Sequence, residues 1–266
     1  NTYTGATTVS AGTLQLGDGG TGGSLNTGSA ISIASGATFE VNQSDTVTQG
    51  TDFSGAAISG AGGFTKSGSG RTILNAANTY AGVTTISGGQ IEIQNNDALG
   101  TTAGETIING GAKLTISGGI TTAENITNVG GGQGKITGSG TGGTFTGLIT
   151  LSSSMDLRGN DLTFSGGVTA LEQGLSINVA RAVIDTTAID LDSDDSGAAG
   201  TLSLTSASNS LANATQLNVG GNDWDFARIN FGGYLLIGGD NYMPVDAGVE
   251  FGWSTDGQSQ ATLDLG

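Results

Sequence analysis

The chain contains no cysteine and no histidine, a single proline, and only seven basic residues against 23 acidic ones in a length of 266. Without cysteine no disulfide can form, so stability must come from backbone pairing and packing. Without histidine there is neither a Ser-His-Asp nor a Cys-His triad. Lacking both, the sequence has no ordinary zinc, haem or iron–sulfur ligand set. Cysteine absence says little about redox compartment, although it suits an exported chain. Seven cations scattered along the sequence give no expectation of a nucleic-acid surface, and they disfavour anionic membranes for the same reason. No apolar run approaches the ~20 residues of a membrane helix; the longest are short, such as Tyr234 to Ile237. The chain opens at Asn1 with no signal peptide, as expected of a mature product or a processed fragment.

Glycine is abundant instead: 50 of 266 residues, about 19%, against a usual ~7%. Such a composition can mean disorder, but 35% of residues are hydrophobic and they are regularly placed. Short alternating runs recur, among them Ala30 to Ala34, Gln90 to Gln94 and Lys113 to Ser117. Each sets two apolar side chains two residues apart, which a strand puts on one face. Glycine pairs between the runs permit sharp corners.

A repeat organises these strands. Asn1 to Leu16 aligns with Asn78 to Ile93 at an offset of 77 residues, with eight of 16 positions identical, including Asn-Thr-Tyr at Asn1 to Tyr3 and Asn78 to Tyr80. A fainter echo relates Ile33 to Phe39 with Ile108 to Leu114. That offset exceeds one ordinary solenoid unit, so it spans several coils. We therefore expect an all-β parallel β-solenoid of roughly 10–12 coils, ~20–25 residues each, about 50 Å long, with an apolar inner column and a Thr/Ser/Asn coat. The rival, an antiparallel sandwich or barrel, calls for longer strands and more core aromatics. Up to Val219 the chain holds only seven aromatics.

Composition shifts near the end. Trp224, Phe226, Phe231, Tyr234, Tyr242, Phe251 and Trp253 equal in number all earlier aromatics, and Pro244 is the lone proline. From Ala182 onward there are 12 acidic residues and one cation, Arg228, a charge of −11. Bulky side chains can close an open solenoid end. The expected organisation is a solenoid over 1–220 and an aromatic, acidic cap or junction over 221–266.

The stretch Gly63 to Leu74 (Gly-Phe-Thr-Lys-Ser-Gly-Ser-Gly-Arg-Thr-Ile-Leu), followed by Asn75 to Ile86 with its Asn-Thr-Tyr-Ala-Gly core, resembles the passenger-associated repeat of bacterial autotransporters. Asn1 to Leu16 is similar to the second half of another copy, and the specific motif covers about a fifth of the chain. The resemblance implies a right-handed parallel β-helix, exported and displayed on or released from the bacterial outer surface. It marks scaffold and secretion rather than an activity, and the family's C-terminal membrane barrel is missing from this sequence.

Candidate chemistry is sparse. Asp190, Asp192, Asp194 and Asp195 form the densest acidic cluster and could hold Ca²⁺ through alternating oxygens. Asp195 stands where an EF-hand needs its turn glycine, however, and Thr201 where it needs Glu; a solvated loop is the plainer reading. Trp224 beside Asp223 and Asp225, with Tyr234, Tyr242 and Trp253 near Asp256, could stack on and hydrogen-bond to glycans, or simply pack a cap. Asp156, Arg158 and Asp161 are the nearest approach to a mixed catalytic cluster, with exposed turn charges the plainer reading. Gly130 to Gly134 lacks the context of a phosphate loop. No cofactor is expected beyond possible Ca²⁺. The leading functional reading is a non-enzymatic extracellular or outer-membrane-surface adhesin or matrix scaffold, its partners glycans, host or matrix surfaces, or copies of itself. The alternatives are a filament subunit joined end to end by β-strand addition and a polysaccharide-acting β-helix enzyme. No insertion into a membrane by this segment is expected.

Overall fold

A computed structural model describes residues 3–166, except 131–133, 154 and 160–161; for 156–159 and for eleven strands between Val168 and Asp264 the backbone alone is described. Every strand pairing is parallel, and the described residues contain no helix, which excludes the antiparallel sandwich.

Three faces wind in repeating order. An eleven-stranded sheet runs from Thr13–Leu16 through Thr38–Val41, Gly63–Lys66, Thr84–Ile86, Thr106–Asn109, Ile126–Val129 and Ile149–Leu151 onward to Val249–Phe251. A ten-stranded sheet begins with Thr46–Thr48, Arg71–Leu74, Gln90–Ile93, Lys113–Ser117 and Gly134–Ser139 and ends at Thr262–Asp264. The third side is a three-stranded sheet at one end (Thr7–Val9, Ile31–Ile33, Ser59–Gly60) and a six-stranded one further along, starting at Ile120–Thr122. Between them no strand forms, yet the vertical ladder persists: Thr79 N donates to Ile58 O (2.8 Å), Ala81 N to Gly60 O (2.8 Å) and Thr101 N to Tyr80 O (2.9 Å).

On the eleven-stranded face Thr13 is in register with Thr38, Phe64 with Thr84, Thr84 with Thr106, Ile126 with Ile149 and Ile149 with Val168. Each step is one coil; these fall close to the expected 20–25 residues, whereas the last two steps of the sheet, Ile189 to Leu217 and Leu217 to Val249, are longer. Ten strand spacings give a length of about 48 Å. Strands described within 221–266 (Arg228–Phe231, Tyr234–Ile237, Val249–Phe251 and Thr262–Asp264) continue the same three sheets.

The inner column is less apolar than its strands imply. One inward row reads Leu16, Val41, Lys66, Ile86, Ile108, Asn128, Leu151, and its neighbour Leu14, Phe39, Phe64, Thr84, Thr106, Ile126, Ile149. Lys66, Thr84, Thr106 and Asn128 are all buried. A backbone hydrogen-bonded on both sides supplies the ladder whatever the side chain, so polar residues are tolerated inside where a partner is at hand.

Close coil contact demands glycine. A Cβ on Gly82 would lie 2.5 Å from the Gly62 carbonyl carbon and oxygen of the coil below. At the corner before Gln90–Ile93, Gly89 adopts φ +60°, and its Cβ would meet Gly70 O at 2.3 Å.

Candidate functional site

Five residues of the repeated motif, Phe64, Lys66, Asn78, Tyr80 and Thr84, are buried. Phe64 sits between Phe39 (ring centroids 5.9 Å, edge-on) and Tyr80 (6.1 Å, stacked), and Phe53 adds to Phe39 at 5.8 Å. Offset and edge-to-face contacts of this kind stabilise beyond their buried area. All four rings are fully buried, so this part of the solenoid holds an aromatic pile, and Phe145 stacks on Phe164 further along the core (5.3 Å). The Tyr80 hydroxyl is 2.6 Å from Thr84 Oγ1, which donates to Leu99 O at 3.1 Å. Burial pushes the Tyr80 phenol pKa up.

Asn78 ties three coils together. Its Oδ1 accepts from Ile58 N (2.9 Å) and Gln49 Nε2 (2.8 Å) in the preceding coil; its Nδ2 donates to Ala98 O (2.7 Å) in the next and to Gln49 Oε1 (3.2 Å). Gln49 and Asn78 are both buried. The amide is the one neutral side chain that offers two donors and a two-fold acceptor in this length. Asparagine and tyrosine at the head of the repeat thus have structural tasks. The earlier copy differs: Tyr3 is 52% exposed, its hydroxyl donating to Ala6 O at 2.7 Å.

Besides Tyr80 and the ion-paired Glu92, two ionisable groups are enclosed. Lys66, 1% exposed, donates through Nζ to Gly68 O, and burial pushes its pKa down to about 8. Glu124, 3% exposed, accepts from Thr106 Oγ1 at 3.3 Å. Burial pushes its pKa up to about 7, the Thr106 bond opposing and the Glu105 carboxylate reinforcing the rise. Perturbed groups often mark active sites, but these two point into the packed interior, and no substrate can reach them without opening the coil.

Their pH consequence is direct. Glu124 carries a higher pKa folded than unfolded, so the native state binds the extra proton between about pH 4.5 and 7, and stability rises as pH falls through that window. Lys66 acts oppositely, gaining stability as pH rises from about 8 toward 10.5. Both penalties are therefore largest near pH 7–8. We expect unfolding free energy to rise by about 2 kcal/mol from pH 7.5 to 5 in the native chain, and Glu124→Gln to flatten that rise. Denaturant melts at both pH values test this; an unchanged rise in the variant would refute it.

The outer faces carry what a partner can meet. On the eleven-stranded sheet Thr65, Thr85, Ile107, Thr127 and Thr150 stand in register, a hydroxyl-rich row broken once. On the ten-stranded sheet Arg71, Gln90, Lys113 and Lys135 stand in register. Arg71 Nη1 pairs with Glu92 Oε2 at 3.1 Å, and Gln94 Nε2 donates to the other Glu92 oxygen at 2.7 Å. Cations that look scattered in sequence are thus aligned in the fold. Their spacings along the chain are unequal and follow the coil rather than any fixed period.

Among the sequence candidates, Asp190 lies in the strand Ala188–Leu191, in register with Thr169 and Asn218, while Asp192, Asp194 and Asp195 lie outside the described residues. Tyr234 opens the strand Tyr234–Ile237 in register with Ser208. Trp224, Asp225, Tyr242 and Trp253 lie outside the described residues. Asp156 and Arg158 fall on one strand, in register with Lys135 and Thr137, and Asp161 lies outside the described residues. Among the described residues no three acidic side chains form a metal-holding group.

Comparison with known proteins matches residues 1–16 and 64–93 to the passenger-associated-transport-repeat family. The chain is 33% identical over 220 residues to the Adhesin BmaC autotransporter of Brucella suis biovar 1 (strain 1330), an alignment covering 79% of this chain and 6% of that protein. The chain thus spans a small part of that relative's length. No solved structure matches it.

Proposed function

With this chain an autotransporter passenger-type β-solenoid carrying passenger-associated-transport repeats, we propose that it is a non-enzymatic adhesive segment displayed at the bacterial outer surface. The observation that carries the reading is where the chemistry lies. The perturbed groups and the buried motif residues Phe64, Asn78 and Tyr80 serve coil stacking inside, and the outer rows of Thr, Gln, Arg and Lys offer contact without a convergent acid–base pair. Likeness to a protein named an adhesin supports the same reading. A rod of paired coils suits such a role, since each interior strand is hydrogen-bonded on both sides and adds length at about 4.8 Å per coil.

The test is gain of adhesion. Displayed on a non-adherent Gram-negative host through a heterologous membrane anchor, the segment should raise attachment to matrix-coated glass several-fold over the anchor alone. Attachment equal to the anchor's would overturn the proposal. Release of reducing ends from a polysaccharide panel would overturn its non-enzymatic part.

A further inference from the structure

We infer that the outer surface of the ten-stranded sheet is a docking strip for an anionic polysaccharide, gripped by Arg71, Lys113 and Lys135. The inference rests on the adhesive reading and names its ligand class. The three cations occupy one register row, with Gln90 between Arg71 and Lys113. At one strand spacing per step, the row spans about 14 Å along the rod. Alternation turns these positions outward: their inward neighbours Thr72, Ile91, Leu114 and Ile136 are buried, whereas Arg71 is exposed and Lys113 and Lys135 partly so.

The arrangement disfavours the free protein. Lys113 and Lys135 are direct register partners on adjacent strands, and like charges so placed repel. Among the described residues neither is paired with a carboxylate; the one ion pair there is Arg71–Glu92. Asp156 takes the next register position after Lys135. From Arg71 to Ser139 the sheet's strands hold three cations and one carboxylate, Glu92, a local charge of +2 in a chain of −16. An unpaired lysine couple on an acidic protein is what an external anion would relieve.

Chemistry selects the occupant. Beside the cations stand neutral hydrogen-bonding groups: the Gln90 amide, bonded to Thr115 Oγ1 at 2.9 Å, and Thr137 in the next row. Hydroxyls with widely spaced carboxylates or sulfates suit that mixture. Duplex DNA, with a charge every ~1.7 Å, needs many more cations than this row supplies.

Binding of the 266-residue chain to heparin, polygalacturonate, dextran and duplex DNA, measured by calorimetry at low and high salt, tests the inference. Heparin or polygalacturonate should bind, weaken several-fold with salt, and lose about tenfold in affinity in the double variant Lys113→Gln/Lys135→Gln. Lys113→Arg/Lys135→Arg should retain it. An unchanged melting temperature in the glutamine variant keeps the loss attributable to charge. The sulfated and carboxylated probes separate the two sources of anion. Binding no stronger than to dextran, tighter binding to DNA, or native affinity in the glutamine variant would overturn the inference. In the attachment assay, full adhesion by the glutamine variant sinks the polysaccharide strip and leaves the adhesive reading standing, whereas no adhesion by the native segment sinks that reading itself.

Discussion

Asn78→Ala should cost about 4 kcal/mol of stability, lowering the melting temperature by roughly 10 °C. The loss is large because the partners remain. Ile58 N–H, Ala98 C=O and both ends of the Gln49 amide are left facing a pocket one amide too large. A buried donor or acceptor without a partner costs about 1–3 kcal/mol, more than its bond contributes when made. Stacked coils share stability mainly with their neighbours, so the damage should be local: hydrogen exchange should accelerate at Ile58 and Thr79 before the amides of Lys135 or Ile149. A drop under about 1 kcal/mol would mean that water fills the vacancy and that the asparagine is no clamp.

Phe64→Ala should cost about 3–5 kcal/mol. Phe64 is fully buried and is the shared member of two ring contacts, with Phe39 and Tyr80. Its loss opens a cavity between coils whose backbones are fixed by the ladder and cannot collapse inward. Tyr3→Ala, at the half-exposed position of the earlier copy, should change stability by no more than about 0.5 kcal/mol. Chemical denaturation of both variants measures the contrast; equal effects would contradict the inward stacking of the motif.

Much of this architecture is legible in the sequence because strand alternation is a local signal. Ile31–Ile33, Gln90–Ile93 and Lys113–Ser117 are visible as runs of period two. The repeat of Asn1 to Leu16 at Asn78 to Ile93 does not carry over to equivalent faces: Thr7–Val9 lies in the three-stranded sheet and its counterpart Thr84–Ile86 in the eleven-stranded one. The core's polar members are not legible in the sequence. Alternation places Lys66 on the same side as Phe64, but lysine is almost never fully buried unless paired, so nothing in Gly-Phe-Thr-Lys announces its enclosure. Glu124 is hidden for another reason: its Thr106 partner lies one coil away.

The cation row fails to show for a third. Coils of unequal length shift each axial neighbour by a different amount, so Arg71, Lys113 and Lys135 align only once the register is known. The aromatic and acidic residues that draw attention in the sequence, Trp224, Tyr242, Trp253 and Asp192 to Asp195, lie outside the described residues.

The account turns on coil register, and a distance reads it. The chain has no cysteine, so nitroxides attached through Thr65→Cys and Thr150→Cys report on those two sites alone. The two positions are far apart in sequence but only four strand steps apart in register, through Thr85, Ile107 and Thr127. Double electron–electron resonance should give a narrow distribution centred at about 19 Å, four strand spacings. A broad distribution, or one centred beyond about 30 Å, would contradict the stacked register and every site built on it.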